Sequence, residues 1–388
     1  MTKRESLGTF SLILWLCSCT GCSSIRQVYA ESEANLEVVV GDPITFATYQ
    51  SKNGLLAQCF RDGTIYVGLN HMVGAGPHGF RSTDGGKTWT PAPYSGAIIG
   101  QTSDGTIMAF EQLTYRKGPG EFIGKVRFSN DGWKTVDGPR DIPLHIPKGA
   151  SGIGDDMKSF EGPIFWGSMV ELPKGDLLAT MYGYFEGDNT PIELPADNPL
   201  YNNPKFAKYR TLVLRSQDHG RSWSYLSTVA YDPKVGQEGY CEPAMARLQD
   251  SRLLCVMRTG YAKDPMYQCW SRDNGQTWSK PVSIGVRGVD PALTVLSDGM
   301  VACSYGVKGH IKGMRRERNV MFSVDGGATW SHTTQIYGGP GGSYPGLCAF
   351  RPGEILFVYE AQALSERFNE PNPLKFRAMG AVIRAKRM

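Results

Sequence analysis

The residues able to do chemistry in this chain sit at one fixed distance from a recurring turn. Six times an apolar run meets a tight turn and a second apolar run follows. The turns are Asp62-Gly63, Asp104-Gly105, Lys174-Gly175, Asp250-Ser251, Asp298-Gly299 and Pro352-Gly353. Eight positions before the turn stand Gly54, Gly96, Trp166, Glu242, Asp290 and Tyr344. Eight positions after it stand Asn70, Gln112, Tyr182, Arg258, Gly306 and Glu360. Strand side chains alternate with period two, so equal offsets from equivalent turns lie at the same end of equivalent strands. Glu242, Asp290, Tyr344, Arg258, Glu360, Trp166 and Tyr182 are therefore expected to converge on one rim. Glu242 and Asp290 would be paired carboxylates for acid–base work. Trp166, Tyr182 and Tyr240 would add aromatic ring faces near that rim.

Short strands joined by turns must hold that rim. Five segments follow the pattern Ser-x-Asp-x-Gly-x-Thr-Trp. STDGGKTW (Ser82 to Trp89), SRDNGQTW (Ser271 to Trp278) and SVDGGATW (Ser323 to Trp330) are full copies. SQDHGRSW (Ser216 to Trp223) has Ser222 for threonine, and SNDGWKTV (Ser129 to Val136) has Trp133 in the glycine place. Asp binds nearby backbone amides, Gly supplies positive φ, and the Trp folds back as an apolar plug. The pattern resembles the Asp-box, or BNR repeat, of sialidase-like β-propellers. Long-period repeats signal repeat architectures. The fold expected is all-β: a six-bladed β-propeller of four-stranded antiparallel blades over residues 36–388. Extra length at 137–160 and 185–208, rich in Pro, Asn and Asp, reads as long loops over one face.

Composition narrows the setting. The 388 residues carry a net charge of only +4 with scattered basic residues, which gives no reason to expect nucleic-acid binding. Lys3 and Arg4 precede a short apolar stretch, Leu7 to Cys17, too short to span a membrane. Residues 1–22 read as a lipoprotein-type export signal, lipidated at Cys22 or at Cys19, and 23–35 as a flexible tether. Cys59, Cys241, Cys255, Cys269, Cys303 and Cys348 lie mostly in apolar strands and read as buried free thiols. Cys255 and Cys269 could face each other across neighbouring strands. No spacing calls for a metal or organic cofactor.

Two segments carry a residue-specific resemblance to sialidases. GSYPGLCAFRPGEILFVYE, from Gly342 to Glu360, is similar to the sialidase segment that bears the tyrosine nucleophile. It implies Tyr344 as nucleophile and Glu360 as the glutamate that steadies a substrate-binding arginine. YCEPAMARLQDSRLLCVMRTG, from Tyr240 to Gly260, is similar to the glutamate–arginine segment. It implies Glu242 as the base that activates Tyr344 and Arg258 as a carboxylate clamp. A sialic acid bears a carboxylate beside its anomeric carbon, which repels an anionic nucleophile; a neutral phenol avoids this.

The chain departs from the sialidase pattern on its first blade. YQSKNGLLAQCF, from Tyr49 to Phe60, lacks the first arginine and offers only Lys52. The loop NHMVGAGPHG, Asn70 to Gly79, has His71 and His78 but no acid/base aspartate. Asp290, Asp155, Asp156, Glu161 and His71 are substitutes. For the third arginine, Arg315 has the best spacing among Arg315, Arg316 and Arg318. The function expected is an exported exo-glycosidase acting on a terminal sialic acid or related acidic sugar of a glycan, by a retaining mechanism. The alternatives are a glycosidase with Glu242 and Asp290 as paired carboxylates, or a non-catalytic carbohydrate-binding propeller with Trp166, Tyr182 and Tyr240 as sugar-stacking platforms.

Overall fold

A computed structural model of the chain describes residues 36–49, 54–70, 78–94, 96–153, 159–192, 206–260, 264–307, 317–342, 344–363 and 375–388. The leader, the tether, both candidate lipidation cysteines, Lys52, His71, Asp155, Asp156, Arg315 and Arg316 lie outside the described residues.

Each of the six repeat units forms one antiparallel blade, and a short parallel pairing of Leu144 and His145 with Trp223 and Ser224 joins blades 2 and 3 into one sheet. Blade 1 runs through Gly54–Cys59, Ile65–Asn70, Gly79–Ser82 and Thr90–Ala92. Blade 2 comprises Ile98–Gln101, Ile107–Phe110, Glu121–Ser129 and Asp137–His145, with an extra short strand, Tyr115–Gly118, paired to the third. Blade 3 comprises Ile164–Glu171, Leu177–Phe185, Arg210–Ser216 and Trp223–Ala230. Blade 4 comprises Cys241–Arg247, Leu253–Arg258, Pro265–Ser271 and Val282–Arg287. Blade 5 comprises Val289–Val295, Val301–Val307, Glu317–Ser323 and Ser331–Tyr337. Blade 6 has three strands from the end of the chain, Gly346–Arg351, Glu354–Ala363 and Lys375–Arg387. Its fourth position is filled from the start: Leu36–Val40 and Ile44–Tyr49 both pair with Lys375–Arg387.

Strands with mostly apolar side chains on both faces need a neighbour on each side, and a ring of blades supplies it. Six apolar clusters lie between consecutive blades, including one between blade 6 and blade 1 (Leu55, Val67, Cys348, Leu356 and Val358). The inner strands of all six blades line one central cavity of about 190 Å³. This is a closed six-bladed propeller.

The five Asp-boxes occupy the turns between third and fourth strands of blades 1 to 5. Their bonding repeats. In the first, Asp84 Oδ1 accepts from the Thr88 amide at 2.9 Å, Oδ2 accepts from the Thr88 hydroxyl at 2.6 Å, and Ser82 Oγ accepts from the Gly86 amide at 2.8 Å. In the worn copy Trp133 takes the glycine place at φ 64°, fully buried, and its indole donates to the Tyr94 carbonyl at 2.9 Å.

The structure corrects one expectation. Asp137–His145 is the outer strand of blade 2, not a loop. Its prolines, Pro139 and Pro143, precede the stretch, Leu144 and His145, that pairs with blade 3, so they fall where the outer edge of the strand has no partner strand among the described residues. Ile142 and Leu144 alternate inward to full burial. All six cysteines of the propeller are free thiols; Cys255 and Cys269 are direct cross-strand partners.

Candidate active site

The turn-centred ruler holds until the inner strands near their ends. In blade 1 the ladder stays symmetric up to Gly54 opposite Asn70. In blades 4 and 5 it slips between Cys241 and Ala244 and between Val289 and Ala292. Those intervals contain Glu242-Pro243 and Asp290-Pro291. Proline has no N–H to give the ladder, so a bulge forms and the residue before it is freed from pairing. Glu242 and Asp290 adopt φ 43° and 48°, the left-handed region. Such a conformation costs about 1–3 kcal/mol in a non-glycine residue. It turns both carboxylates out of the pleat. Blade 3 has its own bulge between Phe165 and Met169. There Gly167 sits at φ 96°, and a Cβ on it would clash with the Pro243 carbonyl, so only glycine lets blade 4 approach.

These bulges assemble one hydrogen-bonded cluster. The Tyr344 hydroxyl donates to Glu242 Oε1 at 2.9 Å. The same oxygen accepts from Arg258 Nη1 at 2.5 Å, and Glu242 Oε2 accepts from the Asp290 amide at 2.9 Å. Asp290 Oδ1 accepts from the Trp166 indole at 2.8 Å. Trp166 is packed edge-on between Tyr344 and Tyr182, with ring centroids 6.1 and 6.2 Å away. The Tyr344 carbonyl accepts from the Leu55 amide at 3.1 Å, tying the tyrosine to blade 1. Tyr344 and Asp290 are partly exposed, while Glu242 is buried. The arrangement holds a phenol ready to pass its proton to a carboxylate, with a second carboxylate at hand.

Five of the sequence-singled residues thus meet: Tyr344, Glu242, Asp290, Arg258 and Trp166. Burial alters the tasks assigned to Arg258, Trp166, Tyr182 and Tyr240. Arg258, expected to clamp a substrate carboxylate, is buried and spans two protein carboxylates, Glu242 and Glu238, the latter 2.5 Å from Nη2. Burial works against its charge, but Glu238 and Glu242 outweigh this and hold it firmly protonated. Trp166 and Tyr182, expected as sugar platforms, are only 6% and 8% exposed, so their rings pack rather than face solvent. Tyr240 is fully buried against Tyr267, and burial pushes its hydroxyl pKa up. Glu360 is buried on the second strand of blade 6. Its carbonyl and the Arg318 guanidinium both border Gly341, so Arg318 stands beside blade 6. Arg318 is buried, donates to the Gly339 carbonyl at 2.6 Å and lies over the Tyr337 ring. Glu161 is engaged elsewhere, accepting from the Arg116 amide at 2.8 Å.

Glu238 is the site residue that sequence reasoning missed. It precedes the inner strand of blade 4, at no repeat position, and nothing in its neighbours marks it.

The chain belongs to the BNR repeat-like domain family, whose model matches residues 81–356. No curated protein matches it. Among solved structures it is similar to a protein of unknown function from Dyadobacter fermentans DSM 18053, at TM-score 0.61 and 19% identity over 89% of this chain and 99% of that one. It is also similar to the Hadza microbial sialidase Hz136 (TM-score 0.53, 15% identity, 86% of this chain and 66% of that one). A Penicillium chrysogenum alpha-L-arabinanase complexed with arabinobiose matches at TM-score 0.52 and 13% identity, over 89% and 98% of the two chains. At these identities the likeness is one of fold: a BNR propeller of the kind that glycosidases use.

Proposed function

We propose that the protein is a retaining exo-glycosidase in which Tyr344 is the nucleophile and Glu242 its base. The observation that carries this reading is the 2.9 Å hydrogen bond from the Tyr344 hydroxyl to Glu242 Oε1. In the first step the phenol oxygen bonds to the anomeric carbon, its proton passes to Glu242, and the leaving oxygen departs with a proton. Water then releases the sugar from tyrosine with the same net configuration. A neutral nucleophile suits a sugar whose reacting carbon carries a carboxylate, so the substrate proposed is a terminal sialic acid or related acidic sugar. Asp290, held by the Trp166 indole, is the second carboxylate for the acid/base step.

The pairing of carboxylates favours a second reading. The Asp290 amide donates to Glu242 Oε2 at 2.9 Å, while Arg258 is taken up by Glu238 and Glu242. A neutral glycoside with Glu242 and Asp290 as its acid–base pair needs no arginine to hold a substrate carboxylate. Fluorogenic 4-methylumbelliferyl α-sialoside and α-L-arabinofuranoside, tested with wild type, Tyr344→Phe and Asp290→Asn, separate the two. Sialoside turnover lost in Tyr344→Phe supports the first; arabinofuranoside turnover that survives Tyr344→Phe but not Asp290→Asn supports the second. We extend the proposal to export through the residue 1–22 leader. Palmitate labelling lost on replacing Cys19 and Cys22 together tests the lipid anchor.

A further inference from the structure

One buried carboxylate has no part in the reaction just described, yet touches the group that orients the base. Glu238 Oε2 lies 2.5 Å from Arg258 Nη2, while Arg258 Nη1 lies 2.5 Å from Glu242 Oε1. Arg258 Nε donates to the Gly260 carbonyl at 3.2 Å, so all three guanidinium nitrogens are anchored. Glu238 is itself held through its backbone: its amide donates to the Thr259 carbonyl at 3.0 Å and its carbonyl accepts from Tyr209 at 2.8 Å. The guanidinium cannot shift without disturbing one carboxylate or the other.

We propose that Glu238 is a positioning residue that shares the charge of Arg258 and so leaves the Glu242 carboxylate placed to take the proton of Tyr344. This inference rests on the reading of Glu242 as base. Arg258 divides its charge between the two carboxylates. Without Glu238 the guanidinium would pair with Glu242 alone, and a fully compensated carboxylate holds a proton less well. The groups facing Glu242 are Arg258 from blade 4, Asp290 from blade 5 and Tyr344 from blade 6, and the Cys241 thiol lies near Arg258. Beyond Arg258, Glu238 is neighboured by Tyr184, Tyr209 and the buried Lys208.

The test is the pH profile of kcat for wild type, Glu238→Gln, Glu238→Asp and Tyr344→Phe on the two fluorogenic glycosides named above. Glu238→Gln is expected to lower kcat about 10- to 100-fold and to move the acidic limb down by about one pH unit, with KM little changed. Glu238→Asp, charged but one methylene shorter, is expected to move the limb the same way by less and to recover part of kcat. A carboxylate that only stabilised the fold would reduce the active fraction without moving the limb. If Glu238→Gln is recovered unfolded, the limb of Glu238→Asp decides. A Tyr344-dependent enzyme whose limb stays in place overturns this inference alone. Turnover of neither substrate by wild type, or full kcat in Tyr344→Phe, overturns the site reading and this inference with it.

Discussion

A phenol and a carboxylate 2.9 Å apart, from Tyr344 and Glu242, carry the chemistry argued for this site. Replacing either removes a proton transfer, so Tyr344→Phe and Glu242→Gln should each lower kcat by about 10²–10⁴-fold. The melting curve should show Tyr344→Phe folded; its ring and packing against Trp166 are retained. Trp166→Phe keeps an aromatic ring but deletes the indole donor to Asp290 Oδ1. A hydrogen bond to a charged group contributes about 1.5–3 kcal/mol, so kcat should fall on the order of 10-fold or more. Wild-type kcat in that variant would sink the role given to Asp290. At this scale the sequence spoke through register: counting from the turns brought Glu242, Asp290, Tyr344, Arg258 and Trp166 together. It could not show Arg258 lodged between two carboxylates, because the second of them, Glu238, belongs to no repeat.

The inner strands place those side chains by breaking their own ladders. Pro243 and Pro291 follow Glu242 and Asp290, and those dipeptides were the readable sign of paired bulges. The sign does not reveal a left-handed φ, which neighbouring blades enforce. Gly167→Ala would drive a methyl against the Pro243 carbonyl and push the Glu242 bulge away. It should lower stability by about 1–3 kcal/mol in urea unfolding and reduce kcat further than that loss of folded protein explains. The outer turns answer to simpler rules. In the last box Asp325 accepts from the Ser323 hydroxyl at 2.7 Å and from the Thr329 amide and hydroxyl at 2.9 and 2.7 Å. Asp325→Ala strips those bonds and should cost about 1–3 kcal/mol in the same measurement while leaving KM unchanged. The boxes also predict an acid limit. The Thr88 hydroxyl and amide, then Ser82, hold the Asp84 carboxyl well below its ordinary range. Asp131 is pushed up by burial, but bonds from Thr135 and Ser129 bring it down to about 2. A carboxylate with a depressed folded pKa stabilises above its unfolded pKa, about 3.9, and loses that contribution as pH falls through the folded value. The urea midpoint should therefore drop between pH 4 and pH 2; a flat midpoint there would count against the boxes as stabilising anions.

Closure of the ring is a property of the whole molecule. Residues 36–49 complete blade 6 by pairing with Lys375–Arg387, so the two ends of the described chain share one sheet. Blade 6 carries Tyr344 at its inner edge, while Glu242 is two blades away. Deleting residues 36–49 should leave blade 6 with an exposed edge, lower the thermal midpoint by several degrees and abolish Tyr344-dependent turnover. A truncated protein with wild-type melting and activity would show that the ring needs no such latch. Box spacing and turn count announced six units, yet nothing local identifies the partner of the last strand.

What the sequence determined by itself was everything set by short-range rules: Asp-boxes as turns, strand alternation, six repeats, and the register that singles out one end of the inner strands. Tertiary structure alone decided that Tyr344 and Glu242, 102 positions apart, meet in a hydrogen bond, that Trp166 and Tyr182 pack inward, and that Glu238 shares Arg258. The reason is physical. A turn or a pleat depends on dihedral preferences within a few residues, whereas each of these contacts forms between blades and exists only once the ring has closed.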